Sequence, residues 1–165
     1  MDYGVDTGQR RWLMKAVREA AGEIYSQFAG VREDALRRRP ASGEWCLKEV
    51  AAHLRDAERM YRRQIELIAQ NREPRLPYEP VDVLPYERDY RSEAVSKFLR
   101  EWEEEREETV WLLRMLDEED WERCGLHPHR GRTSVLDLVR EIHEHDLEHL
   151  VQARRLRAQV TGARA

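Results

Sequence analysis

The sequence predicts an all-α protein, an antiparallel four-helix bundle. Four stretches carry apolar residues at steps of three and four, two intervening stretches are dense in Pro and Gly, and no strand signal is evident. At 165 residues the chain fits one domain, 1–165, long enough to bury roughly 70% of its unfolded surface.

The first helix is expected from about Gln9 to Phe28, where Leu13, Val17, Ala20, Ile24 and Phe28 form one stripe with Arg, Lys, Glu and Gln between them. A turn-rich passage follows, ending in Arg39-Pro40-Ala41-Ser42-Gly43, where Pro40 and Gly43 both oppose a continuing helix. The second helix starts near Trp45-Cys46-Leu47-Lys48-Glu49. Cys46 stands where Ser or Thr would complete a capping box with Glu49, and Ser42 is the competing cap. Val50, His53, Ala57, Met60 and Gln64 step along this helix beside the row Leu47, Leu54, Tyr61, Ile65 and Ile68, which puts His53 at the edge of the buried face.

Pro74, Pro77, Pro80 and Pro85 make Asn71 to Arg91 a loop, the kind of segment that forms a rim or lid beside a bundle's end. Its Tyr78, Tyr86 and Tyr90 either pack the loop onto the bundle or contact a ligand. Ser92 and Glu93 open the third helix, which carries Val95, Phe98, Leu99, Trp102, Thr109, Val110, Leu113 and Leu116. The charge run Glu103 to Glu108 reads as a solvated face, although Arg106 falls on the projected apolar row, from which an Arg can turn inward or snorkel. Asp117 to Arg132 is a second loop, punctuated by Gly125, Pro128 and Gly131. Thr133 or Ser134 then caps the fourth helix, with Asp137 in its first turn and Arg154, Arg155 and Arg157 at its far end, as the helix dipole favours.

Acidic and basic residues are interspersed, at 38% charged and a net charge of −4, which describes solvated helix faces better than a nucleic-acid footprint, so no nucleic-acid partner is expected. No stretch approaches the roughly 18 apolar residues of a membrane span, and the start MDYGVDTGQRR lacks the apolar region of a signal peptide. The expectation is a cytoplasmic protein without a membrane partner. Cys46 and Cys124 form no CxxC and are expected as reduced thiols.

The fourth stripe is the informative one. Val135, Leu138, Ile142, His145, His149, Gln152 and Leu156 share one face, so two histidines one turn apart point into the core. Histidine is costly there unless something uses its nitrogens, and an i, i+4 pair can converge on one ion. With His53 on a facing helix, His145 and His149 would supply three neutral nitrogen ligands and leave positions open for water or substrate. His143 faces away from that pair, and His127 and His129 lie in a loop, able at most to approach from the rim. Asp56 and Asp146, each three residues from a candidate ligand, either orient imidazole N–H groups or are ordinary exposed helix acids.

These residues resemble a known family. The segment from Trp45 to Glu58, WCLKEVAAHLRDAE, resembles the W-[ST]-x-x-E-x-x-x-H-L-x-D-x-E signature of the DinB/YfiT-like metalloenzyme superfamily. His127 to Ser134 is similar to its HPxxGxxT lead-in to the last helix, and His145 to Gln152 to its HDxxHxxQ segment. The resemblance covers the whole chain in element order; Cys46 in place of Ser or Thr is the clear departure and touches capping more than ligation. It implies a four-helix bundle of unusual connectivity, commonly a homodimer, with a divalent metal on His53, His145 and His149. Relatives of that kind include bacillithiol- or mycothiol-dependent S-transferases, a mycothiol-dependent maleylpyruvate isomerase and metal-dependent hydrolases.

The chemistry expected is that of a divalent metal, zinc or nickel, with iron and manganese also accepting imidazole. Such an ion would lower the pKa of bound water toward about 7, or activate a low-molecular-weight thiol as thiolate, for attack on a small-molecule substrate. No catalytic side chain is assigned beyond that. The alternative expectation is a non-enzymatic, stress-associated bundle whose histidines hold a structural metal or only hydrogen-bond.

Overall fold

Residues 7–162 are described by a computed structural model, in which four long helices form the bundle. They are α1 (Thr7–Ser26), α3 (Leu47–Gln70), α5 (Val95–Met115) and α7 (Val135–Thr161). Short helices α2 (Glu33–Leu36), α4 (Leu84–Glu87) and α6 (Glu118–Glu122) lie in the connections. The predicted stripes are the buried ones. Leu13, Val17, Ala20 and Ile24 line the inner face of α1, and Val135, Leu138, Ile142 and Leu156 that of α7. Each such aliphatic side chain stabilises the bundle by about 1.5–3 kcal/mol relative to exposure.

The helix ends follow local chemistry. Cys46, not Ser42, is the N-cap of α3, and its N–H donates to Glu49 Oε1 at 3.0 Å. Ser134 caps α7, accepting from the Asp137 N–H at 3.0 Å while Asp137 accepts from the Ser134 N–H at 2.9 Å. Gly162 closes α7 in the left-handed conformation, φ 69°, that glycine adopts without steric cost. The expected opening of α5 at Ser92 is corrected: Ser92 ends a 3-10 turn, Tyr90–Ser92, where its hydroxyl donates to Asp89 O, and α5 begins at Val95.

The second predicted loop contains an antiparallel hairpin, β1 (Cys124–His127) with β2 (Gly131–Ser134), an addition to the strandless reading. Gly131 takes φ 71° at its turn. Gly125 is required by contact, since a Cβ there would lie 2.6 Å from Leu76 Cδ2 and 3.0 Å from the Pro74 carbonyl. That close approach lets Leu126 exchange backbone hydrogen bonds with Pro74 and Leu76, fastening the loop after α3 to the hairpin.

Helix directions follow from which residues meet. Trp12 meets His143, Glu23 meets Arg154, and Arg157 reaches the Gln27 and Ala29 carbonyls, so α1 and α7 run parallel. Arg55–Glu101 and Arg59–Glu105 advance together, so α3 and α5 are parallel as well. The antiparallel relations lie across the other two faces, α3 against α7 (Glu44–Arg155, Tyr61–Glu141) and α1 against α5 (Arg106 to the Val17 carbonyl).

A parallel α3–α5 pair requires residues 71–94 to climb the whole bundle before α5 can start. The crossover does so along α3: Gln64 holds the Pro77 carbonyl at 2.8 Å, Arg39 the Pro85 carbonyl at 3.0 Å, and Lys48 the Arg91 carbonyl at 3.2 Å. The segment expected beside a bundle's end therefore lies along its flank.

Candidate metal centre

The site lies midway along the α3–α7 interface. His53 is fully buried on α3, deeper than the edge position its spacing implies, while α7 presents His145 and His149 one turn apart. The Nε2 atoms of His53 and His145 are 2.9 Å apart and those of His145 and His149 3.0 Å apart. Among the described residues this is the one group of three or more His, Cys, Asp or Glu whose donor atoms all lie within 4.8 Å of one another.

The outer nitrogens fix which way the lone pairs point. His53 Nδ1 faces the Val81 carbonyl at 3.4 Å, and His149 Nδ1 faces Gln152 Oε1 at 2.7 Å. The atom facing each Nδ1 is a carbonyl oxygen, which only accepts, so each Nδ1 carries the proton and each Nε2 turns a lone pair inward. His145 Nε2 can offer at most one proton to its two neighbours, so at least one N···N contact has no hydrogen bond to justify its length. A shared cation removes that conflict. Two nitrogens on one first-row divalent ion with bonds of 2.0–2.1 Å stand roughly 3–3.4 Å apart, close to the spacings seen.

All three imidazoles are neutral at neutral pH. Burial, then the neighbouring His149, lowers His53 to about 4. Burial followed by the two facing histidines takes His145 to about 2, and burial lowers His149. Neutral imidazole is the form that ligates. Trp45, just before α3, walls the cluster with ring centroids 4.7 Å from His53 and 6.1 Å from His149, and the Tyr61 ring stands 5.8 Å from His145.

Beneath the histidines lies a buried charge network. Arg106 turns inward from the charge run, forks onto Glu58 at 3.0 and 2.7 Å and onto Asp146 at 2.8 and 2.9 Å, and donates to the Val17 carbonyl at 2.7 Å. One guanidinium thus joins α5 to α3, α7 and α1. Burial alone would lower its pKa, but the two carboxylates outweigh that and raise it.

The expected roles of Asp146 and Asp56 are corrected here. Asp146 is 1% exposed, so it is no ordinary surface acid, and its carboxylate meets Arg106, not an imidazole. Asp56 is taken by Arg55 at 2.9 Å and by the Tyr90 hydroxyl. Carbonyl oxygens of Val81 and Gln152 orient the imidazoles instead. Gln152 stands on the predicted stripe, so its position is legible; Val81 carries no signal, because it acts through its backbone.

Other predicted residues lie apart. His143 is half-buried against Trp12, 5.3 Å between centroids, on the α1 side of α7. His127 and His129 sit on the hairpin with Tyr78, whose ring lies 5.6 and 4.7 Å from theirs. Tyr90 packs into the core, while Tyr86 is exposed and 6.4 Å from Trp45. Cys46 and Cys124 are free thiols, and burial pushes the Cys46 thiol up to about 12. A groove of about 930 Å³ between α1 and α5, lined by Tyr25, Trp102 and Trp111, contains none of the three histidines.

A helical bundle with an inward three-histidine cluster and a long flanking crossover defines the class of protein. The family described as the DinB superfamily matches residues 16–153, and the chain belongs to it. The chain is similar to the uncharacterized protein YuaE of Bacillus subtilis (strain 168), 24% identical over 166 residues, covering 91% of this chain and 100% of YuaE. Among solved structures it is similar to YfiT from Bacillus subtilis, with a TM-score of 0.87 at 16% identity over 98% of this chain and 93% of that one. YfiT is described as "a probable metal-dependent hydrolase with an unusual four-helix bundle topology". At that identity the likeness establishes the shared fold.

No described helix is long and apolar enough to cross a membrane.

Proposed function

We propose that the protein is a divalent-metal-dependent enzyme that adds water or a low-molecular-weight thiol to an electrophilic small molecule, with His53, His145 and His149 as the metal ligands. The carrying observation is the inward convergence of three neutral Nε2 atoms, two of them with tautomers fixed by outer carbonyls. Zinc or nickel suits the set, and iron and manganese also accept imidazole. A bound ion would supply Lewis acidity for generating the nucleophile. The chain's own contribution is to hold the donors neutral and aimed, through Val81 and Gln152, and to wall the cluster with Trp45 and Tyr61. The description of YfiT supports the hydrolase branch, and the resemblance of the motifs supports the thiol transferase branch. The homodimer is part of the same proposal, and light scattering measures it.

Protein stripped with chelator and titrated with Zn²⁺, Ni²⁺ or Mn²⁺ should bind one ion per chain, and His53→Ala or His149→Ala should abolish that binding. If wild type retains none of these ions above the variants, the metalloenzyme reading fails. Activity on electrophilic acceptors with and without added thiols then separates transferase from hydrolase. An ion that binds but admits no exchangeable ligand would instead favour a structural role.

A further inference from the structure

Two consecutive residues of the crossover address both sides of one imidazole. The Val81 carbonyl meets His53 Nδ1, while the next residue, Asp82, brings Oδ1 to 3.7 Å from His53 Nε2, the ligating side. The Asp82 side chain is 77% exposed, while the backbone on either side of it is pinned. Val81 is buried, its N–H donates to the Glu79 carbonyl at 2.8 Å, and the Val83 N–H donates to the Pro80 carbonyl at 3.1 Å.

The surrounding charges single Asp82 out. Glu58 and Asp146 are engaged by Arg106, Asp56 by Arg55, Glu49 by Arg39 and Glu141 by Arg130. The ionisable side chain beside Asp82 is His53, whose ring is neutral. A divalent ion among three neutral donors would bring two positive charges into a largely buried site where the Glu58–Arg106–Asp146 network offers a net charge of −1, so a further anion close by is favoured. Donors sharing one ion stand roughly 3–3.4 Å apart; Asp82 Oδ1 is 3.7 Å from His53 Nε2 but outside the 4.8 Å histidine group, so ligation requires the exposed side chain to turn further toward His145 and His149.

We propose that Asp82 is a fourth, loop-borne ligand of the ion held by His53, His145 and His149, an inference that rests on the metal reading above. The crossover is then part of the coordination site, and ion binding ties residues 71–94 to the α3–α7 interface.

The test uses full-length, chelator-stripped protein, titrated with Zn²⁺ and Co²⁺ against a chromophoric chelator, for wild type, Asp82→Asn, Asp82→Ala and His149→Ala. Both Asp82 variants should raise the metal Kd at least about tenfold and alter the Co²⁺ absorption bands. Their melting in excess chelator should match wild type, because the side chain is exposed. Unchanged affinity and an unchanged Co²⁺ spectrum in both, with binding lost in His149→Ala, would overturn the Asp82 assignment and leave the three-histidine reading standing. If wild type binds neither ion, the two fall together.

Discussion

His53 and His145 face each other Nε2 to Nε2 at 2.9 Å across the α3–α7 interface, two neutral bases where a protonated pair would repel. Protonation of either would place a charge in a buried site against its neighbours.

That juxtaposition makes the chelator-treated protein acid-sensitive. In the unfolded chain these histidines titrate near 6.5, whereas folding depresses all three, His53 to about 4. The unfolded state binds more protons between those values, so the stability is full above about 6.5 and falls as the pH drops toward 4, by about 1.4 kcal/mol per pH unit for each histidine involved. Thermal melts from pH 7.5 to 4.5 in chelator should show Tm declining through this window, with a shallower slope in His145→Gln. A flat Tm over that range would contradict the assigned neutral cluster.

Removing Arg106 should be among the most damaging single changes. Arg106→Leu strands Glu58 and Asp146, 2% and 1% exposed, as adjacent buried carboxylates. The expected cost is about 3–5 kcal/mol. The triple change Arg106→Leu, Glu58→Leu, Asp146→Leu should recover much of it, since no buried charge remains unpaired. Denaturant midpoints for the single and triple variants measure both; a triple no more stable than the single would place the loss in packing.

Gln152 supplies the acceptor that fixes the His149 tautomer. Gln152→Leu should weaken metal binding by about 10- to 100-fold. Gln152→Glu, which keeps an acceptor at that position, should retain it. Competition titrations at pH 7.5 read the difference, and equal affinities for wild type and Gln152→Leu would show that the hydrogen bond does not prepare the ligand.

The long helices and the histidine cluster are legible in the sequence because both rest on a single period. Leu13 to Ile24 and Val135 to Leu156 must share a face if the segments are helical, and His145 with His149 share it for the same reason. Helix direction is not legible, since a 3–4 stripe reads the same whether its neighbour runs parallel or antiparallel. The hairpin escapes notice because its four-residue strands hold Gly125 and Gly131 and show no clean alternation. Asp146 shows why sequence neighbourhood misleads: its partner Arg106 lies forty positions upstream, and only the packing of α5 against α7 brings the two together.

The climb of residues 71–94 along α3 divides the protein's labour between two kinds of chain. Helix registry holds the three histidines, and an insertion or deletion of one residue in α3 or α7 would swing an imidazole out of the cluster. The crossover obeys no such period. It meets the histidines at the Val81–Asp82 step, so that step is the part of the strap the site depends on, and changes elsewhere along it leave the ring nitrogens where the helices put them.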